Sequence, residues 1–446
     1  MSATSSSTHP RLFPVPETEP SPAPPPAPEA RTDVRVLRAN RTQLIWGSID
    51  LEAQVPEDHP VRAIVGVIER LDLSAFYAEV GSYEGEPGAP AIDPKILLSL
   101  WVFATSEGEG SAREIARLTT MHAAYRWICG GVEVGYHTLS DFRSRRGKGI
   151  DDLITQLLGV LMQQELVVVS RVAQDGTRTR ADAGAASFRR EETLEERMKE
   201  AREHMEAVTQ EGADETLGAR RAAARRRGAQ ERLARLEAAL AQLPEVAETK
   251  KRSGAKDATP RVSTTDPEAR VMKMADGGFR PAMNVQIATT TDAARVIVGI
   301  DVTNRGTDAG ATIPMIEQIE RRTGVRPQEM LVDGGYVQLE AIEQAAARGV
   351  VTYAPVPTPR GEVKRDPHEP REGDSPAVAD WRVRMGTEEA KETYKQRAAT
   401  AETVNADAKT HRGLNRLPVR GLDKTSSVVA LFALTYNVLR MIALGG

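Results

Sequence analysis

The chain carries one cysteine, Cys129, in 446 residues. Such scarcity excludes a disulfide framework and any cysteine-rich zinc module, and it fits a reducing, cytoplasmic setting. No thiolate-stabilising neighbours are recognisable around Cys129, which therefore reads as a small apolar core residue and not as a nucleophile. An overall basic balance is missing as well. The formal net charge is −4, whereas DNA-binding domains are often strongly basic, so a case for nucleic acid has to rest on local patches. The amino end lacks a basic start followed by a continuous apolar stretch, which argues against a signal peptide. The single long apolar run, SSVVALFALTYNVLRMIAL, approaches the length of a membrane span. Asn437 and Arg440 interrupt it, and it reads as a buried helix packed on a sheet, with no membrane partner implied.

What is present suits a globular protein of two or three domains, with 40% hydrophobic and 27% charged residues. Residues 1–32 are rich in Pro, Ser and Ala and have too little apolar surface to offset the entropy of ordering, so a disordered tail is expected. From 40 to 164 the pattern is helical. Asp93 and Pro94 suit the N-cap and first position of one helix, and His137 suits a turn or cap better than a metal ligand. Short helices split by Gly or polar turns suggest a helix-turn-helix-like bundle, with Arg143, Arg145, Arg146 and Lys148 available for phosphate contact.

Residues 165–446 form the expected second domain, of α+β or mixed class. Apolar runs at LVVVSRV, AMNVQIATT, ARVIVGIDVT, EMLVDGG and VVTYAPV read as strands of a mixed sheet alternating with helices. A charged stretch, 189–258, interrupts them and reads as two helices, an antiparallel pair. It includes the most basic cluster of the chain, Arg220, Arg221, Arg225, Arg226 and Arg227, which is either a solvated face or a DNA contact. The Pro-, Gly- and charge-rich stretch 358–379 is expected to be a mobile loop able to close on DNA.

Three carboxylates stand out. Asp333 ends an apolar run and opens a Gly-Gly turn before a helical pattern and a second strand, a βαβ unit whose strand end is where open α/β sheets place reactive groups. Asp175 follows another apolar run. An Asp-Gly pair there also suits a hairpin turn, and Asp182 is its nearest competitor. Asp308 reads as an N-cap. Glu402 lies in YKQRAATAETVNADAKTHRGLNRLPVRGLDK. On a regular helix it falls within about 80° of Tyr394 and Lys409, with Arg397 about 60° to the other side of Tyr394. Arg412, Arg416, Arg420 and Lys424 continue this stretch as a phosphate-facing surface.

Asp175 in QDGTRTRADA, Asp333 in LVDGGY, and Tyr394, Arg397, Glu402 and Lys409 together resemble the signature of bacterial insertion-sequence DDE transposases, in the branch with a Tyr, Arg, Glu, Lys motif. TTDPEARVMK, GFRPAMNVQIATT and GLNRLPVRGLDK add to the likeness, which spans roughly residues 40–445. One departure stands in the motif: four residues, where three are usual, separate Arg397 from Glu402. The resemblance implies an RNase H-like catalytic domain behind a helical domain that recognises the element's ends. It also implies Asp175, Asp333 and Glu402 as catalytic residues holding two Mg²⁺ ions, with Mn²⁺ as a substitute. Tyr394, Arg397 and Lys409 would hold double-stranded DNA, in a synaptic complex of two or more copies associated with the nucleoid. Carboxylates suit that chemistry because hard divalent ions prefer oxygen ligands and a metal pair serves phosphodiester attack. A catalytically dead DNA-binding regulator and a stand-alone nuclease are the rival expectations.

Overall fold

The computed structural model describes residues 50–81, 90–211, 219–252, 259–358 and 366–445; the expected tail at 1–32 lies outside them. Seven helices come first: α1 (Pro60–Arg70), α2 (Ser74–Tyr77), α3 (Pro94–Ser106), α4 (Ala112–Met121), α5 (Ala123–Cys129), α6 (Tyr136–Arg145) and α7 (Gly147–Gln163). Their ends follow local chemistry. Asp93 caps α3 by accepting the Lys95 N–H at 2.8 Å, with Pro94 at the first turn. Gly130, at φ 55°, stops α5 in the left-handed conformation that glycine adopts at least cost. Trp101, 1% exposed, anchors the bundle and donates its indole N–H to the Leu139 carbonyl at 3.0 Å.

The sheet begins with β1 (Arg171–Arg180), followed by a short ribbon of β2 (Phe188–Arg189) and β3 (Val262–Ser263), then β4 (Arg270–Lys273), β5 (Phe279–Thr290), β6 (Ile297–Thr303), β7 (Glu329–Leu331) and β8 (Val351–Tyr353). β1 pairs antiparallel with β5 on one side and parallel with β7 on the other, and β7 pairs parallel with β8. β4 and β6 both pair antiparallel with β5, β4 along Phe279–Ala282 and β6 along Asn284–Thr289. The result is a mixed sheet with β1 at its centre. The strand expected over LVVVSRV starts only where that apolar run ends, at Arg171. Leu166–Ser170 lead into it, with the Val168 N–H taken by Asp292 at 3.0 Å.

Between β2 and β3 the chain runs out and back as α8 (Glu191–Glu211) and α9 (Ala219–Arg252). Leu194, Met198 and Ala201 bury against Leu236, Ala239, Leu243 and Val246, the antiparallel pair that the charge pattern suggested.

After β6 come α10 (Thr312–Thr323), α11 (Leu339–Ala347), α12 (Pro376–Gly386), α13 (Glu388–Arg397), α14 (Thr403–Thr410) and α15 (Leu422–Ala443). α15 is the apolar run near the carboxyl end. Among the described residues it alone is long and apolar enough to cross a membrane, and 61% of its most apolar window is buried. Its polar interruptions are ties to the sheet. Asn437 accepts the Ile297 N–H and donates to the Ile297 carbonyl, both at 2.8 Å, and Arg440 donates to the Ala294 carbonyl at 2.6 Å. One continuous core joins α1–α7 through α15 to the face of β5 and β6. The helical region therefore shares its interior with the sheet, because the apolar faces of α7 and α15 cover each other.

Of the expected mobile loop, 359–365 lie outside the described residues. The part from Asp366 on is held down: Arg382 donates to Asp374 at 2.7 Å, with side chains 4% and 6% exposed. A buried charge left unpaired is costly, so this ion pair fixes the segment against α12.

Candidate active site

Parallel pairing of β1 with β7 sets Ala173 opposite Leu331. Two residues further along each chain stand Asp175 and Asp333, which therefore share a register position and a sheet face. Asp175 lies inside β1, opposite Ile287 of β5, and the hairpin reading of Asp175-Gly176 does not hold. Continuous pairing on β5 leaves no room for a turn. Asp333 follows β7 and caps the short 3-10 turn Gly334–Tyr336, accepting the Gly335 N–H at 2.7 Å. At the roughly 4.8 Å spacing of neighbouring strands, two carboxylates repel by about 3 kcal/mol at an effective dielectric near 20. Burial pushes the Asp175 carboxyl up from its ordinary value and Asp333 adds to the shift, while Arg397 and Asn405 oppose it. Such a pair favours a neighbouring positive charge.

That charge comes from the helix crossing the strand. The Arg397 guanidinium lies 3.5 Å from Asp175 Oδ1 and 2.7 Å from Glu402 Oε1, so one cation bridges the first and third acids. On a regular helix, residues five apart point about 140° away from each other. The chain avoids this by forming a π turn over Ala398–Glu402, between α13 and α14. A π turn takes in one extra residue per turn, and here it absorbs the additional residue between Arg397 and Glu402. Their pairing corrects the regular-helix reading, which set Arg397 and Glu402 on opposite sides of Tyr394. Deleting Ala399, an exposed residue of the π turn, leaves an ordinary α-helical spacing. By calorimetry this variant is expected to hold or raise the melting temperature. An alanine inserted after Ala399 rotates everything downstream by about 100° and lowers it. A deletion that melts below the insertion would contradict this account of the turn.

Tyr394 packs beside Arg397, whose guanidinium carbon sits 5.8 Å from the ring centroid. Lys409 reaches the same face; burial lowers its ammonium from the ordinary value and Asp175 partly restores it. Asn405, not singled out from the sequence, donates to Asp175 Oδ2 at 2.9 Å. Its signal was its position three residues after Glu402, on the same helical face.

Behind the strand a second network forms on the opposite face. Asp308, 5% exposed, accepts from Asn284 and Gln286, each at 2.7 Å, and from Arg178 at 3.1 Å. It is no helix cap, since Ala311 occupies that position of α10. A Cβ on Gly176 would lie 2.3 Å from Asp308 Oδ1, so only glycine lets this buried carboxylate approach β1. Tyr336, 1% exposed, donates to Gln286 and ties the turn after Asp333 to the same network.

The other basic residues divide. Arg416 and Arg420 are exposed and flank Asp182, at 3.2 and 2.9 Å; Asp182 is thus engaged away from the two sheet acids. Arg145 is exposed beside Asp141 at 3.5 Å, and Arg146 pairs with Glu79. Two readings need correction. Arg143 is 5% exposed, stacks over Trp101 at 4.4 Å and donates to the Gly110 carbonyl, so it packs the bundle and does not face phosphate. Arg412 points inward to the Ser106 carbonyl and Asp407, joining α14 to α3. Both have long apolar stems that burial favours once the guanidinium finds acceptors.

Among the described residues, no three His, Cys, Asp or Glu side chains gather closely enough to hold an ion, because Glu402 turns toward Arg397. The donor chemistry fits a hard divalent ion nonetheless. Two carboxylates share a face, Glu402 is 52% exposed, and the buried Asn405 Oδ1 beside them has no hydrogen-bond partner.

Comparison with known families gives two matches. Residues 49–145 match a transposase domain, DUF772, and residues 369–442 match a transposase DDE domain. The first covers α1 to α6; the second runs from before α12 into α15 and contains Tyr394, Arg397, Glu402 and Lys409. Asp175 and Asp333 lie outside both. No curated protein and no solved structure matches the chain.

Proposed function

We propose that this chain, an insertion-sequence DDE transposase as its two transposase-domain matches support, cleaves the ends of its element and joins the freed 3′-OH to target DNA. The observation that supports the reading is that Asp175 on β1 and Asp333 just after β7 each stand two residues past the paired Ala173 and Leu331, with Arg397 bridging Asp175 to Glu402. We read the sheet as RNase H-like, on the strength of three antiparallel strands, β6, β5 and β1, continued by the parallel β7 and β8. The helical region at 49–145 is the part we assign to recognition of the element's ends, with exposed Arg145 as a phosphate contact.

Asp175, Asp333 and Glu402 would hold two divalent ions, Mg²⁺ with Mn²⁺ as substitute. Such ions activate the attacking oxygen and neutralise the leaving one. The protein's own groups do the rest. Arg397 and Lys409 offer charge-assisted hydrogen bonds to the phosphates flanking the cut, Tyr394 fixes the Arg397 side chain, and Asn405 holds the Asp175 carboxylate in its orientation. Arg416 and Arg420 extend the cationic surface for double-stranded DNA, and two or more copies would pair the two ends.

The test is incubation of the full chain with Mg²⁺ and DNA carrying the terminal repeats of the surrounding element. Nicking at the element boundary followed by joining to a second duplex is expected. Binding without nicking would replace this reading with that of a regulator, and nicking that never proceeds to joining would replace it with that of a nuclease.

A further inference from the structure

The buried carboxylate Asp308 lies between the backbones that carry the first two acids. A Cβ on Gly176, the residue after Asp175, would come within 2.3 Å of Asp308 Oδ1 and 2.4 Å of Gln286 Nε2. A Cβ on Gly335, two residues after Asp333, would lie 3.0 Å from Asp333 Oδ1 and 3.5 Å from Asp308 Oδ2. Support is needed there. β7 ends at Leu331, so Asp333 stands outside the strand, and it carries the same charge as Asp175.

Asp308 acts through an amide. Paired to Arg178, its carboxylate offers only lone pairs, and it takes one N–H from Asn284 Nδ2 and one from Gln286 Nε2, each at 2.7 Å. The Gln286 amino group therefore faces Asp308, which turns Gln286 Oε1 the other way. That oxygen accepts twice, from Gln174 Nε2 at 3.2 Å and from the Tyr336 hydroxyl. Gln174 precedes Asp175 on β1, and Tyr336 closes the turn that Asp333 caps. With the amide reversed, an oxygen would oppose the Asp308 carboxylate and an amino group would oppose that of Gln174. Gln286 and Gln174 are 1% and 0% exposed, so no solvent would relieve either repulsion. The charge on Asp308 thus selects the one amide orientation in which a single oxygen holds both acid-bearing segments.

We propose that Asp308 is a positioning residue: by fixing the Gln286 amide it sets the strand of Asp175 against the turn of Asp333. That these acids then hold divalent ions rests on the transposase reading; the coupling of the two segments does not. The experiment compares two variants of the full-length protein. Tyr336→Phe removes only the hydroxyl, and Asp308→Asn removes the charge that selects the amide orientation. Tyr125→Phe, which takes away the hydroxyl bonded to Glu107 at 3.0 Å in the helical region, controls for a general loss of stability. Amide hydrogen exchange of the metal-free protein, read by mass spectrometry, is expected to quicken in the peptides spanning Asp175 and Asp333 for both variants and to stay unchanged there for the control. The melting-temperature titration should move to roughly tenfold higher Mn²⁺ in both, the scale on which partners behind a metal ligand act. Unchanged exchange in either variant would overturn the proposal. So would faster exchange with a Mn²⁺ titration that stays put while Asp175→Asn moves it, since the network would then only pack the core. If Asp175→Asn leaves the wild-type titration where it was, the metal reading fails, and the exchange result alone decides the coupling.

Discussion

Asp333→Asn is expected to abolish Mg²⁺-dependent cleavage of element-end DNA while leaving DNA binding near the wild-type level. The substitution is nearly isosteric, and the asparagine Oδ1 can still accept the Gly335 N–H that Asp333 accepts at 2.7 Å, so the turn after β7 keeps its shape. What disappears is one of two negative charges in register across β1 and β7. A loss of roughly 10³-fold or more in cleavage rate is expected, the scale on which removal of a single essential group acts. Parallel gel-shift and nicking assays on one preparation check it. Retained cleavage would rule out the role assigned to Asp333.

The second large effect concerns Arg397. Its guanidinium lies where a divalent ion would compete, 3.5 Å from Asp175 and 2.7 Å from Glu402. Removing it should leave the acids under-compensated and strengthen binding of Mn²⁺ by roughly tenfold, about 1.4 kcal/mol. The readout is the rise in melting temperature with Mn²⁺, since a ligand that binds only the folded state stabilises it in proportion to its occupancy. Arg397→Ala is expected to shift that titration to lower Mn²⁺, and Asp175→Asn to higher. Cleavage should nevertheless fall in Arg397→Ala, because the same side chain is assigned to a phosphate. A titration unmoved by either substitution would show that the ion binds elsewhere.

Much of the sheet was legible because apolar runs and Gly or Pro punctuation mark strands and their ends. β5, β6, β7 and β8 fall where those signals lie. β1 was displaced because the strand itself, Arg171–Arg180, is largely polar in sequence. Gln174 and Arg178 are strand residues serving the buried Asp308 network, a tertiary demand that propensity cannot express. Asp-Gly at 175–176 mimics a hairpin turn for the same reason: its glycine answers to Asp308 and not to a turn. The pairing of Asp175 with Asp333 could not be read from spacing, since it depends on which strands become neighbours. Arg143 and Arg412 looked like surface cations because their acceptors, the Gly110 and Ser106 carbonyls, are distant in sequence. The extra residue before Glu402 was visible, but only the backbone reveals that a π turn absorbs it.

A crystal of the protein bound to element-end DNA and soaked in Mn²⁺ addresses the acids directly through the metal's anomalous scattering. The expected map has manganese density touching Asp175 and Asp333, with Glu402 swung off Arg397 to complete the coordination. Manganese bound away from these two aspartates, or bound there with Glu402 still on Arg397, would contradict the assignment of the three acids to one catalytic centre.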